Sequence, residues 1–464
     1  MKDEFFYAGF LSGHIAFGAL YMDKIPLAQR RSVCSLIGLA TSVLLMGWDF
    51  LHQLALTLAT IVIIVLHRRT KAFSLCGALN CICFGHLFYF RFYCENNFSN
   101  MIMMLLVLRM AGLGWELCDS GPRDDSTPMH VSVQDIVHYS FSYIGLLAGP
   151  YIRFRTFMDF MDGVCPTTFD ERRHFLMARL LKFPLFSMVF IASLVIAPVE
   201  PAKTIEFHDQ AGFLYTIWYM LAMFAGFRSR LYGGFVLAEC SCIASGMGAY
   251  PEHWINRSGE GPTRRKMFSD FDSDNRKESE PSCGDRTCSN ESFQREAEAI
   301  DFETVVNFDA WGCESAPTIK ETMRAWNKTV QYWLAVNCYK RVPFRSRAVR
   351  MAVTLAVSAF WHGVSPGYYL CFITMVFFAT AEDYIVTHFS DRSSFVVPTG
   401  LVGRLLFAQI KMAVFAYLGI AFVMVRLPEI LQFYWNLYFI GHLAVIVILA
   451  YFTVTLNKVK RATD

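Results

Sequence analysis

Met351 to Thr380 reads MAVTLAVSAFWHGVSPGYYLCFITMVFFAT, a run without a single Asp, Glu, Lys or Arg. A hydrocarbon layer of about 30 Å takes roughly 20 apolar residues as an α-helix, so a run of this length and composition belongs in a membrane. It contains one histidine, His362. Pro366, flanked by Gly363 and Gly367, should break or kink the helix just past the imidazole and free backbone carbonyls there. Hydrocarbon does not tolerate such groups unless protein or a polar cavity covers them. About 12 residues into its span, at 1.5 Å per residue, His362 should lie roughly 18 Å deep, where an ionisable side chain faces a cavity, a pathway or a polar partner.

The rest of the chain agrees with that setting. Of 464 residues, 54% are hydrophobic and 17% charged, with mean hydropathy +0.35, too apolar for a set of soluble domains. The net charge of +3 is small and its cations fall in short clusters between apolar runs, so no nucleic-acid partner is expected. The 14 cysteines include no CxxC pair and sit mostly in apolar runs, where they read as small buried hydrophobes rather than metal ligands or disulfides. No metal is expected.

About eleven runs are long enough to span, which predicts an all-α polytopic bundle. They are residues 5–22, 33–47, 50–66, 73–90, 101–118, 136–152, 180–196, 213–225, 233–250, 351–380 and 405–425, with 433–455 making twelve if every one spans. Either 136–152 or 233–250 is a candidate re-entrant segment. The basic stretches DKIPLAQRRS (Asp23–Ser32) and HRRTK (His67–Lys71) fall on one side by span count and should be cytosolic, which puts the N-terminus in the lumen. The Asn97-Phe98-Ser99 sequon then falls on the lumenal side, and the basic tail NKVKR (Asn457–Arg461) favours a cytosolic C-terminus.

Residues 251–318 form the one long polar segment, with a Ser-, Gly- and charge-rich centre that cannot bury enough apolar area to fold alone. It divides an N-terminal bundle (1–250) from a C-terminal half (319–464). Directly after it, Met323–Arg345 carries Trp326, Val330, Trp333, Leu334 and Tyr339 at helical spacing among polar residues, which predicts an amphipathic, interfacial helix. Asn327 lies near its start.

The paired stretches RAWNKTVQYWL (Arg324–Leu334) and SAFWHGVSPGYY (Ser358–Tyr369) resemble the signatures of the membrane-bound O-acyltransferases, and the WHGxxPGYY form is similar to the lysophospholipid branch. YSFSYIGLLAGPYIRFRTFMDF (Tyr139–Phe160), AECSCIASGMGAYP (Ala238–Pro251) and YWNLYFIGH (Tyr434–His442) are similar to members acting on lysophosphatidylinositol. The resemblance implies acyl transfer from acyl-CoA to a lysophospholipid hydroxyl inside a tunnel in the endoplasmic reticulum membrane, with lysophosphatidylinositol as acceptor, a polyunsaturated chain and no cofactor beyond the co-substrate.

An alcohol attacks a thioester poorly unless its proton is removed, and a neutral imidazole suits that task, so His362 is the candidate general base. Asn327 either donates to the developing oxyanion or positions the acyl donor. Trp326, Trp361, Tyr368, Arg153, Arg155, Glu239 and His442 are candidate substrate-binding residues. Lys340, Arg341 and Arg345, in KRVPFRSRAVR, either hold CoA phosphates or are ordinary positive-inside flanking charge. A transporter or scramblase is the competing class, but neither internal repeats nor coupling carboxylates are evident in the spans.

Overall fold

Apolar runs punctuated by caps and prolines set most of the helices. The structure, a computed structural model, describes residues 2–67, 72–120, 131–263, 299–390 and 401–463. Its helices in order are α1 (Lys2–Tyr21), α2 (Leu27–Met46), α3 (Phe50–His67), α4 (Ala72–Tyr93), α5 (Asn97–Asp119), α6 (Val133–Phe141), α7 (Phe154–Met161), α8 (Phe169–Leu180), α9 (Phe183–Ile196), α10 (Ile205–Gln210) and α11 (Phe213–Ser245). Then follow α12 (Ala310–Ser315), α13 (Ile319–Ala325), α14 (Lys328–Leu334) with a π-helical turn at Ala335–Tyr339, α15 (Arg347–His362), α16 (Pro366–Ser390), α17 (Leu401–Met424), α18 (Leu427–Asn436) and α19 (Ile440–Thr463). The only strands among the described residues are four two-residue pieces, β1 (Tyr250–Pro251), β2 (Asn256–Arg257), β3 (Gly261–Pro262) and β4 (Ile300–Asp301), paired β1 with β4 and β2 with β3, both antiparallel.

The expected all-α polytopic class holds. Among the described residues seven helical stretches are long and apolar enough to cross a membrane, with α2 and α3 counted as one, and eight if the α18–α19 pair, bent by 79°, is a broken span. Local chemistry places several starts. Asn96 caps α5 by accepting from the N–H groups of Phe98 and Ser99, and Ser132 with Asp135 forms a capping box on α6.

The structure departs from the expected spans at three places. The runs 213–225 and 233–250 belong to one 33-residue helix, α11, because the arginines that seemed to separate them are paired: Arg228 with Glu314 at 3.0 Å and Arg230 with Glu4 at 3.1 Å. The run 351–380 is two helices, α15 and α16, separated at Gly363–Ser365. The run 136–152 stops being helical at Phe141, and its irregular backbone is met by the buried Arg109, which donates to the carbonyls of Tyr139 (3.0 Å) and Ile144 (2.7 Å). Not every cysteine is a simple buried hydrophobe either, since Cys76 and Cys118 form a disulfide between α4 and α5.

The polar segment is narrower than 251–318. Its flanks fold: β1 pairs with β4, and Phe302, Val305 and Phe308 are buried. Residues 264–298 and the basic loop 68–71 lie outside the described residues.

Two hydrophobic cores result. One gathers α1–α8, the far half of α11 (Tyr232 to Ile243), Phe308 and Trp333. The other gathers the first half of α11 (Tyr219 to Phe224) with α16, α17 and α18. Helix α11 therefore runs through both, and the seam between them crosses it between Phe224 and Tyr232.

Candidate active site

His362 is the last residue of α15, and the break after it has a steric cause on each side. A Cβ on Gly363 would come within 2.7 Å of the Tyr368 ring, and one on Gly367 within 2.2 Å of the Ala421 carbonyl oxygen. Pro366 opens α16, where a missing N–H costs nothing. Ending a helix strips its last carbonyls of their i+4 donors. Here the guanidinium of Arg91, on α4, donates to the Trp361 carbonyl at 3.1 Å.

The imidazole itself lies among aromatic rings. Trp361, Tyr368, Phe372 and Phe422 have centroids 4.8, 6.1, 5.4 and 5.0 Å from it, and its side chain is only partly covered. No carboxylate orients it among the described residues. Trp361 is anchored by donating its indole N–H to the Met104 carbonyl at 2.9 Å.

Asn327 sits at the break between α13 and α14 with φ 45° and ψ 49°, the left-handed region that asparagine tolerates better than most residues. It ends the amphipathic pattern that suggested one interfacial helix over 323–345. The two halves dock instead of lying at an interface: Trp333 is 1% exposed and donates to the Leu108 carbonyl at 3.0 Å. The Asn327 side chain makes no capping bond to α14, and it bonds to no other group among the described residues.

Aromatic neighbours of both residues pack on α11. His362 touches Phe422, which packs on Phe227 of α11 at 5.6 Å. Trp326, next to Asn327, packs on Tyr232 and Phe235 of the same helix at 5.4 and 5.9 Å. Phe227 and Tyr232 are five positions apart, about 7.5 Å of rise, so the surroundings of both groups pack on one stretch of α11, from different sides of it. Helix α5 gives the order along the bundle: Trp361 bonds at Met104, Trp333 at Leu108 and Arg341 at Asp119. The His362 end is thus about 22 Å from the Arg341 end along that helix.

The other sequence-expected residues separate by place. Tyr368 lies in the His362 aromatic cluster. Glu239 is fully buried on α11 and accepts the N–H groups of Asn307 (2.6 Å) and Phe308 (3.1 Å). Arg153 pairs with Glu116 at 3.5 Å and donates to the Glu260 carbonyl at 3.1 Å. Burial works most strongly against its charge, but Glu116 together with Tyr332, Tyr151 and Glu260 outweighs it and holds its pKa above the ordinary arginine value. Arg155 is half-buried on α7, its N–H donating to Glu116. His442 accepts from or donates to the Tyr417 hydroxyl at 2.5 Å and packs on Tyr434, bracing α17 to α18 and α19. Arg341 pairs with Asp119 at 2.6 Å and covers Trp115, while Lys340 and Arg345 are exposed.

A groove of ≈ 360 Å³ opens beside Asn327, lined by Arg257, Ser258, Glu303, Arg324, Lys328 and Tyr332 among others. Within it Lys328 pairs with Glu303 at 2.5 Å. Neither this groove nor the roles of Arg91 and Asn307 was anticipated from sequence. The one usable signal was VVNF (Val305–Phe308), whose apolar residues inside a polar segment mark a buried stretch.

Residues 48–427 match the model of MBOAT, the membrane-bound O-acyltransferase family. The chain is similar to the membrane-bound acylglycerophosphatidylinositol O-acyltransferases of Xenopus laevis (30% identity over 473 residues, 96% of this chain and 92% of the relative) and Drosophila melanogaster (31% over 474 residues, 95% and 90%). The Homo sapiens protein of the same description is 29% identical over 469 residues, 95% of this chain and 91% of the relative.

Proposed function

Because this chain belongs to the membrane-bound O-acyltransferase family, we propose that it acylates lysophosphatidylinositol, with acyl-CoA as donor and His362 and Asn327 as the catalytic pair. The observation that carries the reading is a partly buried imidazole and an unbonded amide whose aromatic neighbours, Phe422 and Trp326, both pack on α11 in the membrane bundle. His362 takes the proton of the acceptor hydroxyl as its oxygen attacks the thioester carbonyl. The C–S bond breaks, and the imidazolium returns the proton to the departing CoA thiolate. The Asn327 amide donates to the carbonyl oxygen as negative charge develops there. The apolar walls keep water from the thioester. Transfer is direct, without an acyl-enzyme, and draws on no further cofactor.

The donor's phosphates meet cations at the Asn327 side, where Arg257, Arg324 and Lys328 line the groove and Lys340 and Arg345 are exposed. The acyl chain is polyunsaturated, of arachidonoyl type, and goes to the sn-2 position. The protein works in the endoplasmic reticulum, with its N-terminus in the lumen and its C-terminus in the cytosol. In support of that orientation, Arg30, Arg31, Arg172 and Arg341 gather at one end of the bundle, on Phe160, Asp162, Asp23 and Asp119, whereas Asp3 meets Asn97 at the other.

The test is a head-group panel. Purified protein in detergent, given arachidonoyl-CoA with equal lysophosphatidylinositol, lysophosphatidylcholine and lysophosphatidylserine, should strongly prefer the first, because a site that bonds ring hydroxyls rejects head groups that leave its polar atoms unpaired. Equal rates on all three would sink the inositol assignment.

A further inference from the structure

Asn327 holds a backbone conformation that costs free energy in any residue but glycine, so its surroundings must impose it. They do so from both sides. After Asn327, the N–H of Lys328 donates to the Asn307 carbonyl at 2.6 Å. The Thr329 hydroxyl and N–H donate to Asn307 Oδ1 at 2.6 and 3.4 Å. The Thr329 oxygen in turn accepts the Tyr151 N–H at 3.0 Å. Before it, the Asp309 N–H donates to the Ala325 carbonyl at 2.8 Å, and the Gln331 side-chain amide donates to the Trp326 carbonyl at 2.7 Å. Asn307 is itself fixed from beneath by Glu239, which accepts its N–H at 2.6 Å and faces Arg179 at 3.6 Å.

Glu239, Asn307 and Thr329 are respectively 0%, 1% and 0% exposed, so substrate does not reach them. Their bonds nevertheless converge on the residues flanking a single side chain whose own amide is unbonded. We infer that Glu239, Asn307 and Thr329 form a positioning relay that holds Asn327 in its left-handed conformation and aims its amide at the reacting carbonyl. The inference rests on the role given to Asn327 above. It assigns to Glu239 a place behind the site, not in contact with a head group. A displacement of about 1 Å in such a group is enough to cost on the order of 10²-fold in rate.

Thr329→Val keeps the shape of the side chain and removes the hydroxyl, whereas Thr329→Ser keeps the hydroxyl. In the purified full-length protein with arachidonoyl-CoA and lysophosphatidylinositol, Thr329→Val should lower kcat by about 10²-fold, with KM for both substrates within about twofold, and Thr329→Ser should restore most of the rate. In an Asn327→Gly background, Thr329→Val should lower the residual rate no further, because the group it positions is gone. The inference is overturned if Thr329→Val leaves kcat unchanged. It is overturned as well if the hydroxyl loss costs the same factor in the Asn327→Gly background, or if Val and Ser lose rate and melting temperature alike. A fully active Asn327→Gly protein would be a separate, recognisable failure, that of the reading of Asn327 itself.

Discussion

Arg91 on α4 donates to the carbonyl oxygen of Trp361 at 3.1 Å, at the point where α15 ends and one residue before His362. The bond ties the end of the broken helix to the N-terminal core and supplies a donor that the interruption removed. Arg91→Leu leaves a buried carbonyl unsatisfied and frees the His362 peptide to move. It should lower turnover by about 10-fold or more, and Arg91→Lys should recover part of the loss. Steady-state kcat measured beside the melting temperature decides it: full activity in Arg91→Leu would show that His362 is held by other contacts.

Replacing Asn327 separates amide from backbone. Asn327→Gly adopts the left-handed conformation freely and removes the amide, so the protein should fold normally and lose nearly all turnover. Asn327→Ala should lose the same activity and in addition about 1–2 kcal/mol of stability, since its Cβ is disfavoured there. Thermal melts and initial rates on the two variants check both halves, and equal melting temperatures would remove the backbone argument.

Gly367 bears on packing alone. A Cβ there would lie 2.2 Å from the Ala421 carbonyl oxygen and 2.8 Å from the Val425 backbone, neither of which is a flexible side-chain tip. Gly367→Ala should therefore destabilise by about 1–3 kcal/mol, the usual cost of overpacking, and separate α16 from α17. A melting temperature indistinguishable from that of the unaltered protein would show that the two helices can part freely.

How much of this was legible in the sequence depended on distance along the chain. His362 stands out in the residues themselves, as a lone histidine before Pro-Gly in an apolar run, whereas Asn327, in an amphipathic stretch, reads as a surface polar residue until the family resemblance singles it out. The continuity of α11 was hidden because Arg228 and Arg230 look like a loop until Glu314 and Glu4, far off in sequence, are seen to pair with them. Asn307 was hidden for the same reason: it lies in a stretch whose average composition is that of a loop, and its partners are Glu239 and Thr329. The break after His362 was foreseen from Pro366, but its division of one run into two helices rests on Tyr368 and Ala421 packing against the glycines.

The polar segment gives a further expectation. Ser258 donates to Glu303, and β2–β3 packs beside the groove, so these flanks belong to the folded unit. Residues 264–298 have the composition of a solvated linker. Replacing 264–298 by a short Gly-Ser linker should leave activity largely intact, because loop-closure entropy changes slowly with length. Removing 256–262 as well should not. Activity lost with the shorter replacement would place a gate or docking element in that stretch.

The most direct test of the account is turnover by His362→Gln, which removes the base while keeping a side chain of similar reach. Purified in detergent and supplied with arachidonoyl-CoA and lysophosphatidylinositol, this variant should accumulate and melt like the unaltered protein and still bind acyl-CoA. Its kcat should fall by at least about 10²-fold, the smaller end of what a general base contributes. A His362→Gln protein that keeps more than a small fraction of the normal rate would contradict the account and place the proton transfer elsewhere.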